Sequence, residues 1–179
     1  MKFDKVLEHR RSIRRYRDKP VSHDDLHTVL KAAQLSPSWK NSQCARYYVV
    51  TADQLLAELK ENALPAFNRN NCEKAPCLII ACFERGKSGV GRDGEFANEC
   101  GEGWSYFDLG LSVENLCLEA DRLGLGTLIM GIRNEEVIRQ SLSIPMEQQI
   151  VAVIAIGYPD IEPQKPKRLK LKEVAKFYE

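Results

Sequence analysis

The sequence predicts an α+β fold in which a sheet packs against long helices. Two unbroken apolar runs, residues 77–83 and 150–156, are typical of buried strands. Between them an apolar repeat at helical spacing covers about residues 104–123, and Gly124 follows it as a natural stop. Strands that alternate with helices, without an internal repeat, indicate layers of sheet and helix. No Pro- or Gly-rich linker divides the chain, so we expect one domain over residues 1–179.

The N-terminal part of the chain predicts two helices. Phe3, Val6 and Leu7 mark a short amphipathic helix. The second helix has Ser22 as a candidate N-cap with Asp25 three residues later. Its apolar face is Leu26, Val29, Leu30 and Ala33. It ends before Pro37, because a residue that precedes proline disfavours the helical conformation.

The later elements follow from similar signals. We predict strands over residues 45–51, 77–83, 127–132 and 150–158, and helices over residues 54–59, 104–123 and 135–142. The predicted buried face of the long helix is Tyr106, Leu109, Val113, Leu116, Cys117, Ala120 and Leu123. Asn134 is a candidate cap for the helix that follows it. Four glycines in residues 85–94 indicate a mobile loop, and three prolines keep the tail extended until about residue 171.

Composition argues against several classes of function. A net charge of +1 gives no general attraction to nucleic acid or to an anionic membrane, so we expect neither as a partner. The N-terminus has no apolar stretch resembling a signal peptide, which predicts a cytoplasmic location. Six cysteines form no CxxC pair, and all three histidines precede the first cysteine. We therefore expect no metal site and predict reduced, structural thiols.

Two short segments near the N-terminus contain side chains suited to binding a cofactor. The arginine segment (residues 10–14) reads Arg10-Arg11-Ser12-Ile13-Arg14, and its guanidinium and hydroxyl groups suit a bound phosphate. The polar turn (residues 37–43) reads Pro37-Ser38-Trp39-Lys40-Asn41-Ser42-Gln43 and offers groups that could contact the edge of a heterocycle. Together they predict a phosphorylated, ring-bearing cofactor. Each also has an ordinary explanation, a solvated basic surface for the first and turn chemistry for the second.

These segments resemble the N-terminal signatures of the FMN-dependent nitroreductase family. Further stretches resemble the family and follow in its order: residues 108–115, residues 120–126, Thr127-Leu-Ile-Met-Gly131, Ile156-Gly-Tyr-Pro159 and Lys165-Pro-Lys-Arg168. The resemblance implies a nitroreductase-like α+β fold with a central mixed or antiparallel sheet packed by long helices. It also implies an intertwined homodimer with one FMN at each of two sites in the subunit interface.

The resemblance also implies roles for individual residues. Arg10, Arg11, Ser12 and Arg14 match the family's cofactor segment. Arg10, Ser12 and Arg168 would hold the phosphate and ribityl chain, and Arg14 would lie nearer the pyrimidine. Pro37, Ser38, Asn41 and Gln43 match a segment that reaches across from the other subunit. Asn68 matches a flavin-contacting asparagine, and Met130 and Gly131 match backbone beside the flavin's reactive nitrogen.

The implied function is transfer of hydride from NADH or NADPH through FMN to an electron-poor acceptor. Nitroaromatics, quinones and unsaturated carbonyl compounds are the expected acceptors, in a ping-pong cycle. Since the flavin performs the chemistry, no separate catalytic residue is expected. The sequence departs from the family at Trp39-Lys40, where small residues are usual, and at Cys44-Ala45-Arg46, which replaces a proline and a tryptophan. It also lacks a long helical insertion.

Other interpretations stay open at this point. A specialised relative, such as a flavin-dependent dehalogenase or a flavin-degrading enzyme, would reduce its flavin but turn over simple nitroaromatics negligibly. A non-enzymatic protein could instead bind nucleic acid or an acidic partner through its basic clusters, and would be colourless. Trp104, Tyr106 and Phe107 could either line the substrate face of the flavin or belong to the core.

Overall fold

The computed structural model of the chain describes residues 2–179. Its α-helices are α1 (Phe3–His9), α2 (His23–Gln34), α3 (Asp53–Ala63), α4 (Ala66–Asn71), α5 (Gly103–Arg122), α6 (Glu135–Leu142) and α7 (Leu171–Val174). Its strands are β1 (Ala45–Val50), β2 (Cys77–Glu84), β3 (Gly126–Met130) and β4 (Gln148–Gly157), and a 3₁₀ turn covers Trp39–Asn41. The predicted α+β class is confirmed.

The sheet has the strand order β1-β2-β4-β3, and every neighbouring pair is antiparallel. The two most apolar strands, β2 and β4, occupy the centre, with Leu78 opposite Ala155 and Ile79 opposite Ile154. Beyond β3 a further stretch of chain adds to the sheet. Ser12 pairs in parallel with Thr127, and the Ile13 N–H donates to Thr127 O at 2.9 Å. The arginine segment therefore lies along the outer edge of β3.

Two apolar clusters cover the two faces of the sheet, because successive strand residues point to opposite sides. Leu78 and Ile80 pack in the cluster that includes residues of α3 and α6. Ile79 and Ala81 pack in the other cluster, which is built mainly on α2 and α5. The long helix α5 thus lies on one face of the sheet beside α2.

Most predicted element boundaries agree with the structure. Ser22 caps α2 by accepting from the Asp25 N–H at 3.0 Å, and Asn134 caps α6 by accepting from the backbone N–H of Glu136 at 3.1 Å. The predicted central helix is α5. Helix α4 was not predicted, because its six residues follow Pro65 without an apolar repeat. The 3₁₀ turn in the polar turn was also missed.

Five of the six cysteines are buried free thiols. The buried ones are Cys44, Cys72, Cys77, Cys82 and Cys117, and Cys100 is exposed. Burial raises the pKa of the Cys77 thiol and of the Cys82 thiol to about 12, so both stay neutral at physiological pH. Among residues 2–179, no group of three or more His, Cys, Asp or Glu side chains could hold a metal. Within the same range no helix has the length and apolar character needed to cross a membrane.

Candidate functional site

The arginine segment is held tightly against β3. The Ile13 N–H donates to Thr127 O at 2.9 Å, and Tyr16 Oη donates to Ile13 O at 2.9 Å. A Cβ added to Gly126 would lie 2.9 Å from Ile13 Cβ and 3.0 Å from Pro159 Cγ. Real side chains essentially never reach such distances without displacing their neighbours. Glycine at position 126 therefore permits the close approach of the segment to β3.

Extended backbone separates the side chains of the segment into two sets, because alternate residues point to opposite sides. Arg10, Ser12 and Arg14 belong to one set. Ser12 and Arg14 are exposed, whereas Arg10 is half-buried and its Nε lies 3.6 Å from Glu114 Oε1 on α5. Two guanidinium groups and one hydroxyl thus lie along a single side of the β3 edge.

Arg11 belongs to the other set. Together with Arg17 and Asp121 it lines a separate cleft of about 460 Å³. Its Nη1 donates to Arg10 O at 2.8 Å. At the same cleft, His9 Nδ1 and Asp121 Oδ1 are 2.8 Å apart, which holds the end of α1 just before Arg10. Arg11 therefore acts on the backbone of Arg10 rather than lying beside Ser12.

The C-terminal end of β3 provides an accessible backbone. Gly131 is exposed, and a Cβ added there would meet nothing within 4 Å. Asn68 on α4 is 6% exposed, and its Nδ2 donates to Ile132 O at 2.9 Å, which supports the loop after β3. Met130 is buried in the core beside it. From Ser12, opposite Thr127, to Gly131 the edge runs about 13 Å, at the usual rise of a strand.

The polar turn contains three left-handed residues that are not glycine. Lys40, Asn41 and Gln43 have φ values of 45°, 59° and 48°. The Asn41 N–H donates to Ser38 O and the Gln43 N–H donates to Ser38 Oγ, each at 3.0 Å. Arg46, one of the departures from the family, donates from Nη1 to Gln43 O at 2.8 Å. Strained backbone of this kind tends to cluster at ligand sites. Pro37, Asn41 and Gln43 are exposed, and Ser38 is half-buried.

Asp108 connects the polar turn to α5. Its Oδ2 accepts three hydrogen bonds: from the Trp39 N–H at 2.9 Å, from Ser42 Oγ at 3.2 Å and from Ser88 Oγ at 2.6 Å. Asp108 is only 4% exposed, and Ser88 is fully buried. One carboxylate thus fixes the helix, the polar turn and the loop that contains Ser88.

The arginine segment and the polar turn contact different parts of α5. Glu114 faces the first and Asp108 faces the second. Asp108 and Glu114 are six residues apart on α5. Their side chains therefore point in directions about 120° apart around the helix, and their positions differ by about 9 Å along its axis. Among residues 2–179, no hydrogen bond or ion pair joins the two segments. The structure does not bring the two predicted halves of the cofactor site together within one chain.

Exposed aromatic side chains lie next to the polar turn. Trp39 and Trp104 have ring centroids 4.7 Å apart, and Phe107 lies 5.7 Å from Trp104. Phe107 is 58% exposed. Tyr106 is also exposed, packing edge-on against Phe83 at 4.8 Å, so its prediction as part of the buried face of α5 is wrong. The helix is rotated so that Asp108 and Ser112, rather than Tyr106, point inward.

The remaining predicted residue is Arg168. It is exposed in the extended tail before α7, and it forms no ion pair with residues 2–179. Sequence reasoning missed the functions of Asp108 and Ser88. The sequence did contain a signal for Asp108. It lies four residues after Trp104, and residues four apart lie on the same side of a helix, so Asp108 could have been placed beside the Trp104 ring. Nothing local indicates Ser88.

Comparison with known proteins identifies the family. The profile of the nitroreductase family matches residues 7–158. A protein of Archaeoglobus fulgidus, provisionally named NADH dehydrogenase/NAD(P)H nitroreductase, is 30% identical over 163 residues, which cover 88% of this chain and 86% of that protein. An NAD(P)H FMN reductase of Bacillus subtilis is 29% identical over 173 residues, covering 91% of this chain and 68% of that protein.

The fold agrees with this assignment. A crystal structure described as a nitroreductase in complex with FMN, from Exiguobacterium sibiricum, superimposes with a TM-score of 0.85, covering 99% of this chain and 98% of that one at 21% identity. At that identity the likeness shows the fold alone. The family match extends over most of the chain, and the chain therefore belongs to the nitroreductase family, a family of oxidoreductases.

Proposed function

We propose that this chain is an FMN-dependent oxidoreductase that passes hydride from NADH or NADPH to an electron-poor acceptor by a ping-pong mechanism. Nitroaromatics, quinones and enones are the proposed acceptors. The observation that carries the proposal is the row formed by Arg10, Ser12 and Arg14 on one side of the β3 edge. The cytoplasmic location expected from the sequence stays a prediction.

The donor set fits the phosphorylated end of FMN. Arg10 and Ser12 offer charged and neutral donors to phosphate oxygens, and guanidinium groups match phosphate geometry well. Arg14 is exposed two residues further along the same side. Arg168 would complete the phosphate site from the tail, and Arg11 would support it by orienting the Arg10 carbonyl.

The other end of the β3 edge suits a flat ring. When bound, FMN supplies the hydride chemistry, and the protein binds and orients it. Gly131 leaves room for a ring against its backbone, and Asn68 steadies the loop beside it. Arg14 would favour negative charge on the pyrimidine side. Met130, whose side chain is in the core, would contribute only through its backbone.

We further propose that the functional unit is a homodimer. The polar turn, with Pro37, Ser38, Asn41 and Gln43, approaches α5 on a different side from the arginine segment. Its exposed groups would therefore complete the site of a partner subunit. Exposed aromatic residues on α5 and apolar residues on the tail, such as Leu169 and Phe177, are the kind of surface that a second copy would cover.

The first experiment is an absorbance spectrum before and after anaerobic NADH or NADPH. We expect flavin bands near ~370 and ~450 nm that bleach on reduction, since oxidised flavin absorbs there and reduced flavin does not. A colourless protein that also fails to take up added FMN would refute the proposal. Strong, salt-sensitive DNA binding by such a protein would instead support the nucleic-acid alternative.

Two arginine variants test the phosphate site. FMN titrated into apoprotein should bind Arg10→Ala at least ~10-fold more weakly, because one charge-assisted hydrogen bond contributes about 1.5–3 kcal/mol. Arg11→Ala should weaken binding less than about threefold, since it acts only through the Arg10 carbonyl. Arg122→Ala, which removes an exposed arginine paired with Glu119, is the matched control. Full FMN affinity in Arg10→Ala would refute the assignment.

Subunit mixing tests whether the site is shared. Arg10→Ala and Asn41→Ala are each expected to weaken FMN binding at both sites of a homodimer. In a mixed dimer of the two variants, one site carries both substitutions and the other carries neither. Recovery of about one tight FMN per mixed dimer would support a shared site. Absence of any recovery would indicate that each site is built from one chain.

A further inference from the structure

The surface around Trp39 holds three aromatic rings in a row. Trp39 packs on Trp104 with ring centroids 4.7 Å apart at a tilt of 48°, and Trp104 meets Phe107 edge-on at 5.7 Å. Trp39 and Trp104 are half-buried, whereas Phe107 is 58% exposed. We name these three rings the aromatic row (Trp39, Trp104 and Phe107). A contiguous, partly exposed apolar surface of this type commonly marks a binding site.

The aromatic row is rigidly held by polar contacts at its edges. The Trp39 indole Nε1 donates to Val90 O at 3.4 Å, and Trp104 Nε1 donates to Asn98 Oδ1 at 2.9 Å. A Cβ added to Gly89 would lie 2.9 Å from Trp104 Cδ1, so the loop packs directly against that ring. Because the rings are already oriented, a planar ligand could stack on them without a large entropic loss.

The ammonium of Lys40 lies beside this surface. Lys40 Nζ lies 5.6 Å from the Trp39 ring centroid, and the Lys40 side chain is exposed. Its ammonium has no ion-pair partner among residues 2–179. The left-handed Lys40 backbone is supported by the Ser42 N–H, which donates to Trp39 O at 2.7 Å. The ammonium therefore lies near the indole, and no carboxylate of the described residues is within 4 Å of it.

We propose that Trp39 and Lys40 form the acceptor-binding surface, and that it selects planar aromatic acceptors carrying a negative charge. This inference rests on the proposed function, in which the polar turn reaches the flavin of the partner subunit. The middle residues of that turn would then lie next to the acceptor. The indole contributes a stacking face, and the ammonium pairs with a carboxylate or a similar anionic substituent.

The test compares two acceptors of similar size and shape, one anionic and one neutral. In 4-nitrobenzoate and 4-nitrobenzamide the ring and nitro group are the same, but only the first is anionic. We expect the holoenzyme to show a KM for 4-nitrobenzoate about three- to fivefold below that for 4-nitrobenzamide, as one exposed charge pair allows. The preference should shrink as salt is added, because exposed charge pairs are screened.

Variants separate the two residues. Lys40→Met should bring the KM ratio of the two acceptors close to one, whereas Lys5→Met, an exposed lysine on α1, should keep the wild-type ratio. Trp39→Ala should raise the KM for both acceptors by about fivefold or more, and Trp39→Phe should restore part of the loss through a smaller stacking face. Equal KM values in the wild type, or an unchanged ratio in Lys40→Met, would overturn the inference.

A binding measurement supplies a second readout. Benzoate and benzamide cannot be reduced, and their dissociation constants for the oxidised holoenzyme can be followed by the change in flavin absorbance. Lys40→Met should weaken benzoate binding by about three- to fivefold, by loss of the same charge pair, and leave benzamide binding within twofold. If the enzyme is yellow and bleaches with NADH but binds both ligands equally, the inference fails while the proposed function stands. A colourless protein overturns both.

Discussion

Asp108 is the residue whose replacement should disturb the candidate site most. It is 4% exposed, and its Oδ2 accepts hydrogen bonds from Trp39, Ser42 and Ser88. These donors come from two segments, the polar turn and the loop that contains Ser88, and Asp108 joins both to α5. We expect Asp108→Asn and Ser88→Ala to destabilise the protein and to loosen the polar turn together with the loop around Ser88.

The magnitude follows from the hydrogen bonds. A hydrogen bond to a charged group contributes about 1.5–3 kcal/mol. Ser88→Ala removes the shortest of the three, at 2.6 Å in a fully buried position, so we expect a loss of about 2–3 kcal/mol. Asp108→Asn keeps one acceptor oxygen but replaces the other with an NH2 group, which is itself a donor and faces the existing donors. We expect the free energy of unfolding to fall by about 3 kcal/mol. Asp108→Ala leaves all three donors unpaired. The resulting loss should approach the entire free energy of unfolding of a small protein, about 5–15 kcal/mol.

The assay is guanidinium unfolding at a fixed protein concentration, because the stability of the proposed homodimer would depend on concentration. Asp18→Asn, which changes an exposed carboxylate in the same way, is the control and should stay within about 0.5 kcal/mol of wild type. Tryptophan emission should also move to longer wavelength in Asp108→Asn as Trp39 gains exposure. Free energies of unfolding within about 0.5 kcal/mol of wild type for both Ser88→Ala and Asp108→Asn would refute the reasoning.

Three further substitutions and one pH series test other parts of the structure. Gly126→Ala should lower the free energy of unfolding by about 1–3 kcal/mol and weaken FMN binding, because the new Cβ would lie 2.9 Å from Ile13 Cβ. The control is Gly103→Ala, whose new Cβ would have its nearest contact at 3.9 Å and which should leave the stability in urea nearly unchanged. Asn68→Ala should weaken FMN binding about three- to tenfold, since the loop after β3 loses its hydrogen bond at Ile132 O, and normal affinity in a fluorescence titration would contradict this. Burial raises the pKa of the Cys77 and Cys82 thiols from 9.0 to about 12, so the unfolded state ionises first and stability falls as pH rises above 9. Each thiol should account for about 1.4 kcal/mol of this loss at pH 10. In Cys77→Ala the free energy of unfolding should therefore fall less steeply with pH, by the share of this one thiol.

Local features of the sequence were good predictors of the fold. Ser22 and Asn134 cap helices where they were expected, because capping depends on a side chain and on backbone only two or three residues away. The apolar runs identify β2 and β4 since central strands are buried on both faces. Helix α4 was missed because so short a helix shows no periodicity and is stabilised by tertiary contacts.

The candidate site was harder to predict because its main contacts are distant in the chain. Asp108 bonds a backbone N–H 69 residues before it, and Asn68 bonds a carbonyl 64 residues after it. No periodic pattern encodes such pairs. The left-handed conformations of Lys40 and Gln43 were equally hidden, since such side chains seldom adopt that region. Asn41 adopts it more readily, because asparagine is enriched there.

The arginine segment illustrates how conformation divides a cluster that looks uniform in sequence. In the sequence alone, Arg10, Arg11 and Arg14 form one basic cluster. The parallel bridge of Ser12 to Thr127 makes the backbone extended, so Arg11 turns away into the cleft with Asp121 while Arg10 and Arg14 stay beside Ser12. A helical segment would have spread the same side chains around a cylinder. The row of donors therefore exists because a tight contact at Gly126 adds this segment to the sheet. The proposed phosphate site should be as sensitive to that glycine as to the arginines themselves.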